Sequence, residues 1–430
     1  MNKHFSIKFF SALALLLVAF LHGCQTPSSV SNNNLSEIYR RSDQFLEPEF
    51  VIYHVSDSES EVHFKINTAN LLYTKAANSN YEGKVRLSYQ IFKDFDSNEL
   101  IDSSSTVFTD TKASKEIKDV IGSFKVKLSF PNSYVLKIKS TDIKRDQSTN
   151  TVIPIDKSTR NSRHDFLVKN LKTGTTLFRK HINSSDSLLV DYSSTEPYNQ
   201  VTVKYYNRYF PVAPPPFVNY SAKPFDYKPD STFTVQLSDS GTFIFKPSEE
   251  GFYHIQTDTS DMNGLTLFYF DDEYPVINTV PELVSATRFI TSKKEYTNLS
   301  EAEDQKKAID DFWLTISRNP DRARELVRTY YNRVENANFY FSSYKEGWKT
   351  DRGIIYMVFG PPNSVYKSNN AESWIYGEES NYSAVSFNFN KVNNPFTDND
   401  FILERTPAYK THWYRAVDAW RQGRVSTLDF

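Results

Sequence analysis

Two places in this sequence hold residue types at spacings that could do chemistry. The first is Cys24, the one cysteine of the 430-residue chain, which directly follows an apolar stretch. A lone thiol has no intramolecular partner, so modification rather than bridging is the chemistry to expect of it. The second is far along the chain, where Gly347, Trp348, Thr350, Asp351, Arg352 and Gly353 crowd together. Tyr356, Gly360, Pro361, Pro362 and Trp374 follow them. A carboxylate beside a guanidinium suggests acid–base work, but Asp351 and Arg352 lack a nearby His or Cys and a second carboxylate at fixed spacing. The favoured reading is therefore a tight turn in which Thr350 and Asp351 bond backbone N–H groups and Arg352 makes an ion pair or meets a carbonyl. Recognition of a partner ranks second and catalysis last, and no catalytic residue is assigned.

Other chemical signatures are missing from the sequence. There is no H-E-x-x-H, no G-x-S-x-G elbow and no P-loop. His54, His63, His164, His181, His254 and His412 are scattered, none at ligand spacing with another. No metal and no cofactor is expected.

The N-terminus supplies the context for Cys24. Residues 1–8 carry Lys3 and Lys8, and residues 9–21 are apolar except for Ser11. That run is short for a membrane span and suits the core of an export signal. Leu21-His22-Gly23-Cys24 then resembles the lipobox of bacterial lipoproteins. The resemblance implies cleavage before Cys24, diacylglycerol on its sulfur and a third acyl chain, such as palmitate, on the new amino group. Each buried methylene contributes about 0.8 kcal/mol, and two chains already anchor stably. Gln25 stands where an Asp retains lipoproteins at the inner membrane in well-studied sorting, and no early acidic run follows. By that analogy the chain is expected on the periplasmic face of an outer membrane. No later stretch reaches about 18 apolar residues, so the rest is expected to be soluble.

Composition narrows the partners. Formal net charge is -2, and loss of Lys3 and Lys8 with the signal lowers it by two, to -4. Nothing resembles the basic footprint of a nucleic-acid binder. Tyr (27) and Phe (33) are abundant while Gly (12) is scarce, a balance that favours packed sheets.

The periodicity sorts the chain into units. Val62, Phe64 and Ile66 alternate with Glu61, His63 and Lys65; Val85, Leu87, Tyr89 and Ile91, then Phe124, Val126 and Leu128, do the same. Short alternating runs between polar turns predict a β-sandwich over 47–160. A second is expected over 161–278, with strands near Val201, Phe233, Thr242, Gly251 and Leu265. Pro214, Pro215 and Pro216 read as a stiff loop between strands, or else as a ligand for a partner. Residues 1–23 are the signal, 24–46 a flexible tether and 279–299 a linker. From 300 to 430 an α+β unit is expected. Ser300 and Glu303 suggest a capping box, Ile309, Phe312, Trp313 and Ile316 recur at helical spacing, and Asn319-Pro320 starts a second helix. Those two helices would pack on a small antiparallel sheet, with residues 354–359 as its first strand and Gly360-Pro361-Pro362 ending it. The fold class is thus mainly β with an α+β C-terminal domain: two tandem immunoglobulin-like β-sandwiches followed by two helices packed on a small antiparallel sheet.

Gly347-Trp348-Lys349-Thr350-Asp351, running on to Gly360-Pro361-Pro362, closely resembles the signature of the GWxTD-domain family of Bacteroidota and related bacteria. Tyr330-Tyr-Asn-Arg-Val-Glu-Asn-Ala-Asn-Phe before it and Glu372-Ser-Trp-Ile-Tyr after it match too, so the resemblance spans roughly 300–405. It implies a preceding β-rich region and no settled activity. The expected function is a membrane-anchored, non-enzymatic envelope scaffold that binds an unidentified envelope protein, with residues 347–353 and Trp374 as the contact surface. The alternatives are an envelope hydrolase of peptidoglycan, glycan or peptide with its site at Asp351, and a carbohydrate-binding lipoprotein that uses exposed Tyr and Trp.

Overall fold

The computed structural model describes residues 31–425 except 32, 42–43, 77–79, 114–115, 194–197, 222 and 379–383. Cys24 and the apolar segment before it lie outside the described residues.

Alternation builds the first sandwich. β1 (Glu49–His54), β2 (Glu59–Asn67) and β6 (Asp119–Lys127) make one antiparallel sheet in the order β1-β2-β6. β3 (Thr74–Lys75), β4 (Tyr81–Phe92), β7 (Asn132–Asp142) and β8 (Gln147–Lys157) make the other, with β5 (Leu100–Lys112) also paired to β4. Side chains at every second position point inward. Val62, Ile91 and Leu136 fill one part of the core, and Phe64, Ile66, Val85 and Leu87 the other.

The second sandwich repeats the plan. β9 (Phe166–Asn170), β10 (Leu188–Tyr192) and β13 (Thr242–Phe245) form one sheet. β11 (Gln200–Tyr206), β12 (Ser231–Gln236), β14 (Gly251–Gln256) and β15 (Leu265–Tyr269) form the other, in the order β12-β11-β14-β15. Leu188, Val190, Val201, Val203, Phe243 and Ile255 close the core between them. Each sandwich carries a tyrosine whose hydroxyl bonds back to the chain just upstream, as in tyrosine corners. Tyr134 donates to the Ser129 carbonyl at 2.8 Å and accepts the Ser129 N–H at 3.0 Å. Tyr253 does the same at Glu249, at 2.8 and 2.9 Å.

The C-terminal domain holds six α-helices among the described residues, not two. α1 (Val280–Ala286) and α2 (Lys293–Ser300) occupy the stretch expected to be a linker. Each starts at a capping box, Thr279 with Glu282 and Ser292 with Glu295, and Val284, Ala286 and Leu299 sink into the main core. Ser300 thus ends a helix instead of capping one, and Asp304 caps α3 (Gln305–Ser317) by accepting from Lys307 N. Asn319 caps α4 (Pro320–Phe341), with Pro320 in its first turn. A 3-10 turn (Gly347–Lys349) leads into α5 (Asp351–Phe359). β16 (Ser364–Lys367), β17 (Ala371–Tyr376), β18 (Val385–Lys391) and β19 (Phe401–Leu403) form an antiparallel sheet in chain order, and α6 (Tyr409–Arg421) closes the domain.

Two further expectations are corrected. Residues 354–359 form no strand; they continue the helix that Thr350 caps. A short apolar run fits a buried strand or a buried helix equally well by pattern, and every residue of α5 is buried. The tether is also partly structured. Ser31 donates its N–H to the Lys367 carbonyl at 2.7 Å and Leu35 to the Val365 carbonyl at 2.8 Å, so the segment docks beside β16. Leu35 and Tyr39 are buried in the main core. No helix among the described residues is long and apolar enough to cross a membrane.

All five tryptophans lie in the C-terminal domain and are buried, which makes its unfolding readable by fluorescence. Leu35→Ala is expected to cost about 2–4 kcal/mol, the usual range for emptying a buried leucine site. The check is the midpoint of tryptophan-monitored denaturant unfolding; an unchanged midpoint would mean that the N-terminal segment is a free tether.

Candidate functional site

The signature residues are there because two backbones come too close for side chains. A Cβ on Gly347 would lie 2.0 Å from the Ala337 carbonyl oxygen in α4. A Cβ on Gly353 would lie 2.0 Å from the Gly347 carbonyl oxygen. Only glycine tolerates either contact, so α4, the 3-10 turn and α5 are stacked with nothing between them. Trp348 donates its N–H to Asn338 Oδ1 at 3.0 Å, and Asn338 Nδ2 donates to the Pro275 carbonyl at 2.9 Å. Thr350 accepts the Gly353 N–H at 3.0 Å as N-cap of α5 and donates to the Gly347 carbonyl at 2.7 Å.

Asp351 opens α5, where a carboxylate suits the helix dipole. Its carboxylate is 9% exposed and pairs with Arg405, itself 7% exposed. Arg405 Nη1 reaches Asp351 Oδ2 at 3.2 Å, and the same oxygen accepts the Leu403 N–H at 3.1 Å. Arg405 also donates to the Pro214 carbonyl at 3.2 Å, and the Ala213 N–H donates to the Lys349 carbonyl at 2.9 Å. The triple-proline segment is therefore a strap across the signature turn.

Arg352 points the other way, to Glu372 at 3.0 Å. Lys367 Nζ meets the same Glu372 oxygen at 2.7 Å. The second oxygen accepts from the Tyr39 hydroxyl at 2.8 Å and from Trp374 Nε1 at 3.1 Å. Arg352 completes its bonding at the Asn399 carbonyl, 2.9 Å away, and its guanidinium sits over the Phe401 ring at 4.1 Å. Burial alone would raise the Glu372 carboxyl; Lys367 and Arg352 overcome that and hold it at about 2. Trp374 is wholly buried and packs against Tyr39, Phe341 and Phe389 with centroids 5.1, 5.3 and 4.8 Å away. Trp348 is not among its ring neighbours.

The rest of the signature ends α5. Gly360 takes a φ of 86° that favours glycine, and Tyr376 donates its hydroxyl to the Gly360 carbonyl at 2.8 Å. Arg333 covers the helix end by donating to Met357 and Val358 carbonyls. Tyr356 donates to the Tyr39 carbonyl at 3.0 Å, and Arg40 to the Pro362 carbonyl at 3.1 Å. Pro361 stays half-buried beside buried Pro362.

The structure thus brings Arg352 and Trp374 to one carboxylate and sends Asp351 to a separate partner. It corrects the expectation that residues 347–353 and Trp374 form a contact surface. Gly347, Trp348, Thr350, Asp351, Arg352, Gly353 and Trp374 are all buried, because the two glycines pull the turn under α4. Sequence reasoning missed Glu372, Arg405, Lys367, Asn338 and Tyr39. Glu372 left one signal: it alternates with Trp374 and Tyr376, which places a carboxylate on the inward face of β17.

Residues 251–422 match the family model described as the GWxTD domain. The chain carries a GWxTD domain. The matched region begins at β14 of the second sandwich and ends just past α6, wider than the 300–405 stretch read from the motif. The GWxTD domain therefore includes the last two strands of that sandwich, whose Phe252 and Phe268 join an aromatic cluster with Tyr344 after α4 and Phe396 in the loop between β18 and β19. No curated protein matches the chain. Among solved structures, the crystal structure of red sea bream transglutaminase overlaps 53% of this chain and 31% of its own length at 11% identity. The TM-score is 0.19, and a likeness that slight carries no argument.

Two outcomes follow for the GWxTD domain. Gly353→Ala forces a methyl group into a backbone carbonyl, and the domain is expected to lose its folded fraction; cooperative unfolding at the wild-type midpoint would refute the packing. Glu372→Gln leaves Arg352 and Lys367 without a counter-charge, a loss of about 3–5 kcal/mol. The Glu372 carboxyl is depressed in the folded state, so its contribution is full above pH ~4.5 and is lost as pH falls towards 2. Acid titration of the wild type should show that loss, on the order of 3 kcal/mol, and Glu372→Gln should not.

Proposed function

We propose that this chain is a lipid-anchored, non-enzymatic lipoprotein of the cell envelope that acts as a scaffold or binding module for another envelope component. What supports the reading is the commitment of the signature's charged groups. Both oxygens of Asp351 and both oxygens of Glu372 are taken by partners inside the fold, at positions shut off from solvent. Such a carboxylate is a fastener; a nucleophile or proton carrier needs a face open to substrate. The anchor is Cys24, on the strength of its lipobox-like context, and the proposed site is the periplasmic face of an outer membrane.

Partner contact is assigned to the outer faces of the modules. Tyr209, Tyr220 and Tyr227, in the segment between β11 and β12, are exposed, Tyr209 at 87%, and Phe233 on edge strand β12 is exposed beside them in sequence. Exposed aromatics next to a free strand edge are features that partner chains use.

Affinity capture from detergent-solubilised membranes tests the reading. The full chain is expected to bring down an envelope protein in constant ratio, and Tyr209→Ser with Phe233→Ser to weaken that capture while the wild-type unfolding midpoint is kept. Recovery of the chain alone under gentle conditions contradicts the scaffold. Hydrolytic activity of the purified chain that disappears in folded Asp351→Asn would replace it with the enzyme reading.

A further inference from the structure

Two histidines meet where the sandwiches join. His54 ends β1 of the first sandwich, and His164 sits in the 3-10 turn Arg163–Asp165 that leads into β9 of the second. Their rings lie edge to face, 5.2 Å apart. Both reach one backbone oxygen, the Asp156 carbonyl of β8, His54 Nε2 at 3.2 Å and His164 Nδ1 at 3.4 Å. The hydroxyl of Ser193, just past β10, donates to the His54 carbonyl, and the Ser193 N–H donates to the Asp165 carbonyl at 2.8 Å. The histidine pair is therefore part of the joint itself.

The bonding fixes where the protons sit. A carbonyl only accepts, so His54 carries its hydrogen on Nε2 and His164 on Nδ1. His54 Nδ1 faces Ser60 Oγ at 2.8 Å. That hydroxyl accepts from the Lys157 ammonium at 3.2 Å, and its own hydrogen goes to Nδ1. Lys157 is held in turn by the Ser56, Glu59 and Leu128 carbonyls at 2.6, 3.2 and 2.8 Å. A proton added to Nδ1 would turn the Ser60 hydrogen away and set a second cation against the hydroxyl that Lys157 already uses. His54 is 2% exposed, so water cannot relieve that charge. The surrounding charges pull both ways. Lys157 and Arg163 oppose a proton on His54, and Asp156 favours it. Arg163 and His54 oppose one on His164, and Asp398, itself paired with Arg163, favours it. Asp165, Asp57 and Glu59 face Lys157; Asp57 is paired with Arg160 at 2.8 Å and Glu59 with Lys125 at 2.6 Å. Burial outweighs all of these and lowers both rings, His54 to about 4.

We propose that the His54–His164 pair is an acid-operated latch, which holds the two sandwiches together while both rings are neutral and releases their joint when the rings take up protons. An open joint returns the rings to water, where histidine titrates near 6.5. Below that pH the open form binds more protons than the closed one. Closure is therefore full above pH 6.5 and weakens as pH falls towards 4. The inference stands apart from the scaffold reading and would survive its failure.

Hydrogen exchange of the full chain, read by mass spectrometry and corrected for the intrinsic pH dependence of exchange, tests the latch because it reports an open form even when that form is scarce. Protection of residues 156–166 is expected to fall by about tenfold or more between pH 7.5 and 5, reversibly, while that of β17 stays constant. The range stops short of the acid loss assigned to Glu372. His54→Gln combined with His164→Gln should flatten the response. Burial raises the Asp165 carboxyl to about 6, so Asp165→Asn is the control and should respond as the wild type does. Nitrogen NMR of the wild-type rings at pH 7.5 needs no variant and should show one ring fixed as Nε2–H and one as Nδ1–H. Constant protection down to pH 5, a wild-type response in the double variant, its loss in Asp165→Asn, or rings that titrate near 6.5 in the folded chain overturns the latch.

Discussion

The carboxylate of Glu372 is completely buried, and the C-terminal domain is arranged around that burial. A charge without water must be matched in place, or it destabilises the fold by several kcal/mol. Its four partners come from four parts of the chain: Tyr39 from the N-terminal segment, Arg352 from α5, Lys367 from β16 and Trp374 from β17 itself. The Tyr39 and Arg352 contacts are long-range, whereas Lys367 faces Glu372 across the β16–β17 hairpin and Trp374 lies two residues along the same strand. Each is worth having only when the others are present, so the ion cluster makes the domain an all-or-none assembly and fixes where the N-terminal segment enters it.

The signature turn serves the same end. Gly347 and Gly353 let α4, the turn and α5 approach to backbone contact, which points Arg352 to one side of α5 and Asp351 to the other. Asp351 then fastens Arg405, and Arg405 holds the proline strap through the Pro214 carbonyl. Trp348 and Thr350 complete the turn by bonding α4 and capping α5. The five letters of the signature therefore describe a way of joining a helix pair to a sheet. The surfaces that this joint holds in place include the exposed tyrosines between β11 and β12.

What the sequence made legible follows from the period of each element. Strands such as β2 and β4 bury one face only, so Val62-x-Phe64-x-Ile66 and Val85-x-Leu87-x-Tyr89 betray them. α4 is amphipathic and has Asn319-Pro320 at its start, so its extent was readable too. α5 is apolar on every side, and a helix buried all round has no period to read. α1 is only seven residues long and α2 is short and mostly polar, with their capping boxes as the clearest mark. The site suffers from a different blindness. Asp351 and Arg352 are adjacent in sequence and resemble a pair, whereas successive helix positions face different ways, and their true partners Arg405 and Glu372 lie on separate strands and loops.

The claim that the signature's acidic residue is a structural fastener is tested most directly by a double-mutant cycle on Asp351 and Arg405. Unfolding free energies of the wild type, Asp351→Asn, Arg405→Met and the double variant give the coupling without assuming what else each change disturbs. The account predicts that each single change destabilises the domain and that the double variant loses less than their sum by about 1.5 kcal/mol or more. Losses that simply add, to within about 0.5 kcal/mol, would mean that Asp351 and Arg405 do not hold each other, and the carboxylate would then be free for another role.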